Sequence, residues 1–178
     1  MSTVQQTWLR LIRPFTATVA DVTDWEAASP CEGWSARDVL EHVIGTQRDI
    51  LSDHGHPLAP ISAEEPTQRW AEHAAAMDRV IEDDALIGTV FDGFFGPTTI
   101  GETLLRFYGF DLLVHRWDLA RSQGEDVEFT AEELVEMEDA IDGYGDAAYL
   151  PGIFAPALEV GADASTQQRV LARTGRRA

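Results

Sequence analysis

Phe110-Asp111-Leu112-Leu113-Val114-His115-Arg116-Trp117-Asp118-Leu119-Ala120 is the stretch whose reading settles what kind of fold this is. Extended back to Thr103 and on to Arg121, it puts Leu104, Leu105, Tyr108, Leu112, His115 and Leu119 at the three- and four-residue spacing of one helix face. Gly124 then follows as a stop, since glycine takes the left-handed conformation in which helices end. Asp111 and His115 stand four apart and Asp118 three further on, so all three project from one side with neighbours about 5–6 Å apart. Leu104, Tyr108 and Leu119 fall on the same stripe. A carboxylate and an imidazole therefore stand where a bundle helix buries leucine or valine, and a buried carboxylate is costly unless its charge is compensated. A divalent cation does this, taking a carboxylate oxygen and a neutral imidazole nitrogen together.

Helical periodicity recurs on both sides of this segment. Val4, Trp8, Leu11, Ile12, Phe15 and Val19 predict a helix from Thr3 to about Val22, with a kink at Pro14. After the turn-rich Ser29-Pro30-Cys31-Glu32-Gly33-Trp34, Ser35 and Asp38 form a capping box that opens a second helix to about Ser52. Trp34 and Val39 are spaced as a hydrophobic staple across that cap. On the apolar face of this helix, His42 lies between Val39, Val43 and Thr46. Glu64-Glu65-Pro66 starts a third helix marked by Trp70, Ala74, Met77 and Ile81. Gly88 to Gly101 combines strand and turn chemistry and reads as a long irregular loop with room for a short hairpin. Thr130 and Glu133 cap an acidic helix to about Asp146. The tail holds an extended piece at Ala157-Leu158-Glu159-Val160 and a short helix capped near Asp163 or Ser165 and stopped by Gly175. The sum is an all-α bundle of four or five helices in a single domain, residues 1–178.

Composition narrows the function classes. A chain of 178 residues fits one core. Thirteen basic and 31 acidic residues give 13 − 31 = −18, a charge that repels nucleic acid and anionic lipid. Every basic residue is Arg, so lysine Schiff-base and lysine general-base chemistries are excluded. With no secretory leader, no long apolar run and one cysteine, Cys31, the chain is expected in the cytoplasm, and any metal must use His and carboxylate ligands. Twelve acidic residues and no basic one lie between Ser122 and Gln168, while four Arg fall in the last ten positions. This reads as a solvated acidic face, or as a terminal helix docked on the acidic helix by Arg169 and Arg173.

In a bundle, ligands project inward from facing helices, so His42 with Asp111 and His115 would make a two-histidine, one-carboxylate set. Three protein ligands leave a position for water or substrate. Two other readings stand beside this one: a non-catalytic metal or small-ligand binder whose site is closed by His54, His56 or His73, and a metal-free bundle in which these groups satisfy one another. Asp118 is placed to hold an imidazole tautomer, although Arg116 and Arg121 are equally natural partners for it. Cys31 neighbours a helix start whose dipole would lower its pKa, but a small buried residue is the plainer reading. Trp34, Tyr108 and Phe94-Phe95 are candidates for a pocket mouth, or for packing alone.

Three stretches, Pro30-Cys31-Glu32-Gly33-Trp34-Ser35 through Asp38-Val39 and His42-Val43, Phe110 to Ala120, and Arg169 to Arg176, together resemble the small actinobacterial metal-binding proteins related to the N-terminal domain of mycothiol-dependent maleylpyruvate isomerase. These belong to the wider DinB-like family of four-helix bundles. The resemblance implies a divalent metal, most often zinc with nickel the alternative, at His42, Asp111 and His115. It also implies a low-molecular-weight thiol, mycothiol, as metal-bound cosubstrate in a transferase, isomerase or detoxification reaction. The isomerase has Glu at the position of Asp111 and a second, C-terminal domain without counterpart in this sequence, so maleylpyruvate isomerisation itself is not expected. A small-molecule substrate and a homodimer are the expected partners, with no nucleic acid or membrane.

Overall fold

A computed structural model describes the whole chain, residues 1–178. Helices α1 (Thr3–Asp21), α2 (Ala36–Asp53) and α3 (Pro66–Glu82) are followed by a single turn, α4 (Asp84–Ile87), and by strands β1 (Val90–Gly93) and β2 (Gly96–Thr99). Next comes a rod in three parts: α5 (Ile100–Thr103), a π-helical segment (Leu104–Tyr108) and α6 (Gly109–Ser122). Helix α7 (Ala131–Tyr144), a 3-10 turn (Gly145–Tyr149) and α8 (Thr166–Arg173) complete the chain. The all-α expectation holds. No helix is long and apolar enough to cross a membrane.

Local chemistry accounts for the helix boundaries. The boxes expected at Ser35/Asp38 and Thr130/Glu133 both form, and Ser165 rather than Asp163 caps α8, with Gln168 in reply. A box the spacing reading passed over, Thr99 with Glu102, starts the rod at Ile100 instead of Thr103. Helix α1 runs unbroken through Pro14. The hairpin between Gly88 and Gly101 is real: β1 and β2 pair antiparallel from Val90↔Thr99 to Gly93↔Gly96, leaving Phe94 and Phe95 at its tip. Ala157 to Val160 forms no strand and is tied to α8 by one bond, from the Leu158 amide to the Ala172 carbonyl at 2.9 Å.

Helix α6 packs on α1 and α2, and α3 packs on the same two helices from the other side. Trp8, Phe15, Leu40, Leu51, Trp70, Met77, Trp117 and Leu119 fill the space between them without solvent contact. Burying side chains of this size stabilises the fold by about 1.5–3 kcal/mol each. The Trp70 indole also keeps its N–H paired, donating to Thr16 Oγ1 at 2.9 Å.

The π segment alters the register of the rod. Its closing bond runs from the Gly109 amide to the Leu104 carbonyl, five residues back, so one residue more than usual fits into the turn. Leu104 and Asp111 therefore do not share the stripe that uniform helical spacing assigned them. Leu104 is fully buried, and Asp111 stands partly exposed at the edge of the core.

Two ion pairs fasten the C-terminal half. Arg116 forks onto Glu133 at 2.8 and 3.1 Å in a buried pair joining α6 to α7. Arg173 bonds Asp142 at 2.5 Å and docks α8 on the acidic helix, as one sequence reading expected. Arg169 does not join it; it stays local, on the Ala164 carbonyl and Thr166.

Gly175, just past α8, has φ +81°, and an added Cβ would lie 2.5 Å from Ala155 Cβ and 3.1 Å from Ala155 backbone atoms. Gly175→Ala is expected to cost about 2–4 kcal/mol through strain and overpacking, read as a lower urea midpoint with an unchanged slope.

Candidate metal centre

Because α2 packs against α6, His42 comes to face Asp111 and His115, with its Nε2 3.8 Å from Asp111 Oδ2. One donor atom from each of the three residues lies within 4.8 Å of the other two. Two ligands each about 2.1 Å from a shared ion stand roughly 3.0–4.2 Å apart, so this donor set fits a divalent cation with small side-chain adjustments. The His42 and His115 rings meet edge to face at 5.1 Å. Trp34 lies against both, 5.0 Å from His42 and 6.4 Å from His115. Side-chain exposure is 30% for His42 and 29% for Asp111. His115 is 8% exposed. The three converge, then, at the wall of an opening and not at the centre of the core.

That opening is a cavity of about 790 Å³ bounded by the three donors, Trp34, the hairpin tip, and the chain from Tyr144 to Ala155. Trp34, Phe94 and Phe95 line it; Tyr108 does not.

Behind His115 stands Asp118, wholly buried. His115 Nδ1 donates to Asp118 Oδ2 at 2.8 Å, which leaves Nε2 as the ring's lone-pair nitrogen. Neither Arg116 nor Arg121 reaches Asp118, because Arg116 is held by Glu133 and Arg121 lies 3.9 Å from Asp126. The partner is Arg176 in the tail, whose Nε and Nη2 donate to the two carboxylate oxygens at 2.8 and 2.7 Å. Burial pushes the Asp118 carboxyl up, but bonds from His115 and Arg176 and the Arg176 charge outweigh it, holding the group well below the usual carboxylate range.

Cys31, His115 and Asp118 also lie close enough to form a cluster. Arg176 occupies it: Nη2 is 3.4 Å from the Cys31 sulfur, and that sulfur is 3.3 Å from Asp118 Oδ2. A guanidinium at this point repels a cation, so of the two clusters only the one containing His42 suits a metal. Burial and the Asp118 charge push the Cys31 thiol up to about 12, against the lowering that a helix dipole alone would bring.

The remaining histidines are held elsewhere. His54 donates to the Ile50 carbonyl at 2.8 Å and lies on Phe91. His73 is fully buried, not at the core edge, and donates to Gln47 at 2.9 Å. His56 sits half-buried in the loop after α2.

Residues 8–120, well over half the chain, match the mycothiol maleylpyruvate isomerase N-terminal domain. The chain belongs to this family. Two uncharacterized proteins of Mycobacterium tuberculosis, from strains CDC 1551 / Oshkosh and ATCC 25618 / H37Rv, are each 29% identical to it over 110 residues. The alignments cover 61% of this chain and 59% of each relative, so the chain matches only part of their length. No solved structure matches significantly. The family region contains His42, Asp111, His115 and Asp118, while Arg176 and the Tyr144–Ala155 wall lie beyond it.

The depressed Asp118 carboxyl contributes stability that is present above its unfolded pKa, about 3.9, and is lost as pH falls below that value. Asp118→Asn should cost about 3–5 kcal/mol at neutral pH, by stranding Arg176, and should flatten the acid limb of the stability curve in urea titrations. Cys31 in the folded protein should react with iodoacetamide about 100-fold more slowly than a free thiol at neutral pH, and at the ordinary rate in urea.

Proposed function

We propose that the chain is a metal protein of the DinB-like four-helix class in which His42, Asp111 and His115 hold one divalent ion, zinc before nickel. We propose further that it is an enzyme that brings a low-molecular-weight thiol such as mycothiol to that ion for a transferase, isomerase or detoxification reaction. The observation that carries this reading is the convergence of two imidazoles and one carboxylate, from two separate helices, on the wall of a cavity. A protein bundle has no need to leave such donors half-open beside apolar space, and a catalytic ion needs both the donors and the access.

When bound, a divalent ion at these donors supplies the charge that deprotonates a coordinated thiol at neutral pH. The chain's own residues do the rest. Asp118 accepts a hydrogen bond from His115 Nδ1–H and so keeps the Nε2 lone pair directed away from itself. Arg176 keeps Asp118 ionised. Trp34 packs against both imidazoles and limits their rotation. The aromatic walls restrict water around the reacting groups. Cys31, with its thiol protonated at neutral pH, does not compete as a nucleophile, which leaves room for a thiol supplied from outside. Such a cosubstrate is kept reduced in the cytoplasm, the location expected from the composition.

Two sequence readings lose ground here. A site closed by a fourth histidine is disfavoured because none of His54, His56 and His73 lines the cavity or belongs to the donor cluster. A metal-free site in which the donors satisfy each other is disfavoured because His42 and Asp111 stand 3.8 Å apart, beyond hydrogen-bond distance.

Elemental analysis of untagged protein equilibrated with zinc should find about one ion per chain, and His115→Ala should retain less than about a tenth of that with its helical circular dichroism intact. Cobalt-loaded protein should develop a thiolate-to-metal charge-transfer band when mycothiol is added. A folded wild-type protein that takes up no zinc, nickel or cobalt ends the proposal.

A further inference from the structure

The cavity beside the donors restricts what it admits, first by charge. Among its lining residues the acids are Glu32 and Asp111, and the single guanidinium is that of Arg176. All three Arg176 nitrogens are engaged: Nε and Nη2 with Asp118, and Nη1 with the Thr174 carbonyl at 3.3 Å. Freeing Arg176 for a substrate would leave the buried Asp118 charge with only the His115 imidazole as partner, at severe cost. Arg106 is not part of the wall; it lies over the Phe95 ring, 4.5 Å from its centroid, and donates to the Gly143 carbonyl. The wall therefore holds no guanidinium available to an incoming carboxylate, in a chain of net charge −18.

The second restriction is apolar surface. Phe110, Tyr144 and Phe154 form a connected aromatic floor to the cavity, with centroids 5.5 to 6.2 Å apart, the first two nearly buried and Phe154 half-buried. At the rim, Phe94, Phe95, Leu150 and Ile153 stand 76, 46, 45 and 56% exposed. Four large apolar side chains in water around one opening, from a hairpin tip on one side and the tail on the other, mark a surface that gains from being covered.

We infer that the substrate seated beside the donor set is an uncharged aromatic or comparably apolar small molecule, held on the Phe110–Tyr144–Phe154 patch, and not a dicarboxylate. This departs from the anionic substrate in the family's name, and the wall responsible includes residues beyond the family-matched stretch. The inference rests on the metal-thiol reading for the chemistry that follows binding, while the binding itself needs no ion.

Calorimetric titration of chelator-treated protein separates the two, because uptake of metal is measured independently. Indole should bind saturably, and Phe154→Ala should weaken it about tenfold. Ile153→Arg, at an exposed position where a charge is tolerated, should weaken indole similarly and covers the case in which Phe154→Ala fails to fold. Maleate should give no saturable heat at about a thousandfold higher concentration. Failure of indole to bind, indole affinity that neither variant changes, or saturable binding of maleate by the wild-type protein would each overturn the inference. So would a wild-type dimer that Ile153→Arg converts to monomer with indole affinity unchanged, since the rim would then be a subunit interface.

Discussion

A carboxylate with no solvent contact has to be paired, and in this protein the pairing of Asp118 joins otherwise separate parts of the chain. Arg176, 58 residues further along, reaches Asp118 with two nitrogens. Meeting that demand fixes where the tail runs: Gly175 has to turn with positive φ against Ala155, and α8 has to end where Thr174 and Arg176 can fold back on it. The same carboxylate accepts a hydrogen bond from His115 Nδ1, so the group that anchors the tail also fixes the orientation of an imidazole in the candidate site. Stability and site geometry are thus one electrostatic problem, and a change at Asp118 or at Arg176 is felt at the other.

The construction divides by origin. Helices α2 and α6, inside the family-matched region, contribute every donor. Much of the apolar wall comes from Tyr144 to Ala155, beyond that region. The donors are held on packed helices, where side-chain directions are set by the backbone. The wall lies on a hairpin tip and on connecting chain, where substitutions disturb fewer packed neighbours.

Much of this was readable from residues alone. Period and caps located α1, α2, α3 and α7, and polar Asp111 and His115 amid apolar neighbours, with His42 opposite, picked out the three residues that do converge, although the π-helical turn takes Asp111 off the stripe that uniform spacing gave it. What escaped was non-local or subtle. Spacing offers Arg116 and Arg121 as partners of Asp118, but each is claimed by an acid of its own, Glu133 and Asp126. No spacing rule connects positions 118 and 176. The state of Cys31 depended on surroundings equally distant in sequence, because burial and the Asp118 charge outweigh any helix-end effect. The start of the rod at Ile100 was legible in Thr99 and Glu102, and was obscured by the Gly-Pro-rich loop preceding it.

The wide turn at Leu104–Tyr108 has one more implication. Each residue of an α-helix advances the side-chain direction by about 100°, so a single extra residue accommodated in the turn re-aims everything downstream by that angle. Upstream, the rod is an ordinary structural element; downstream, it presents an acid and an imidazole to an open space. Deleting one residue there would let the turn tighten and swing Asp111, His115 and Asp118 together out of reach of His42 and Arg176.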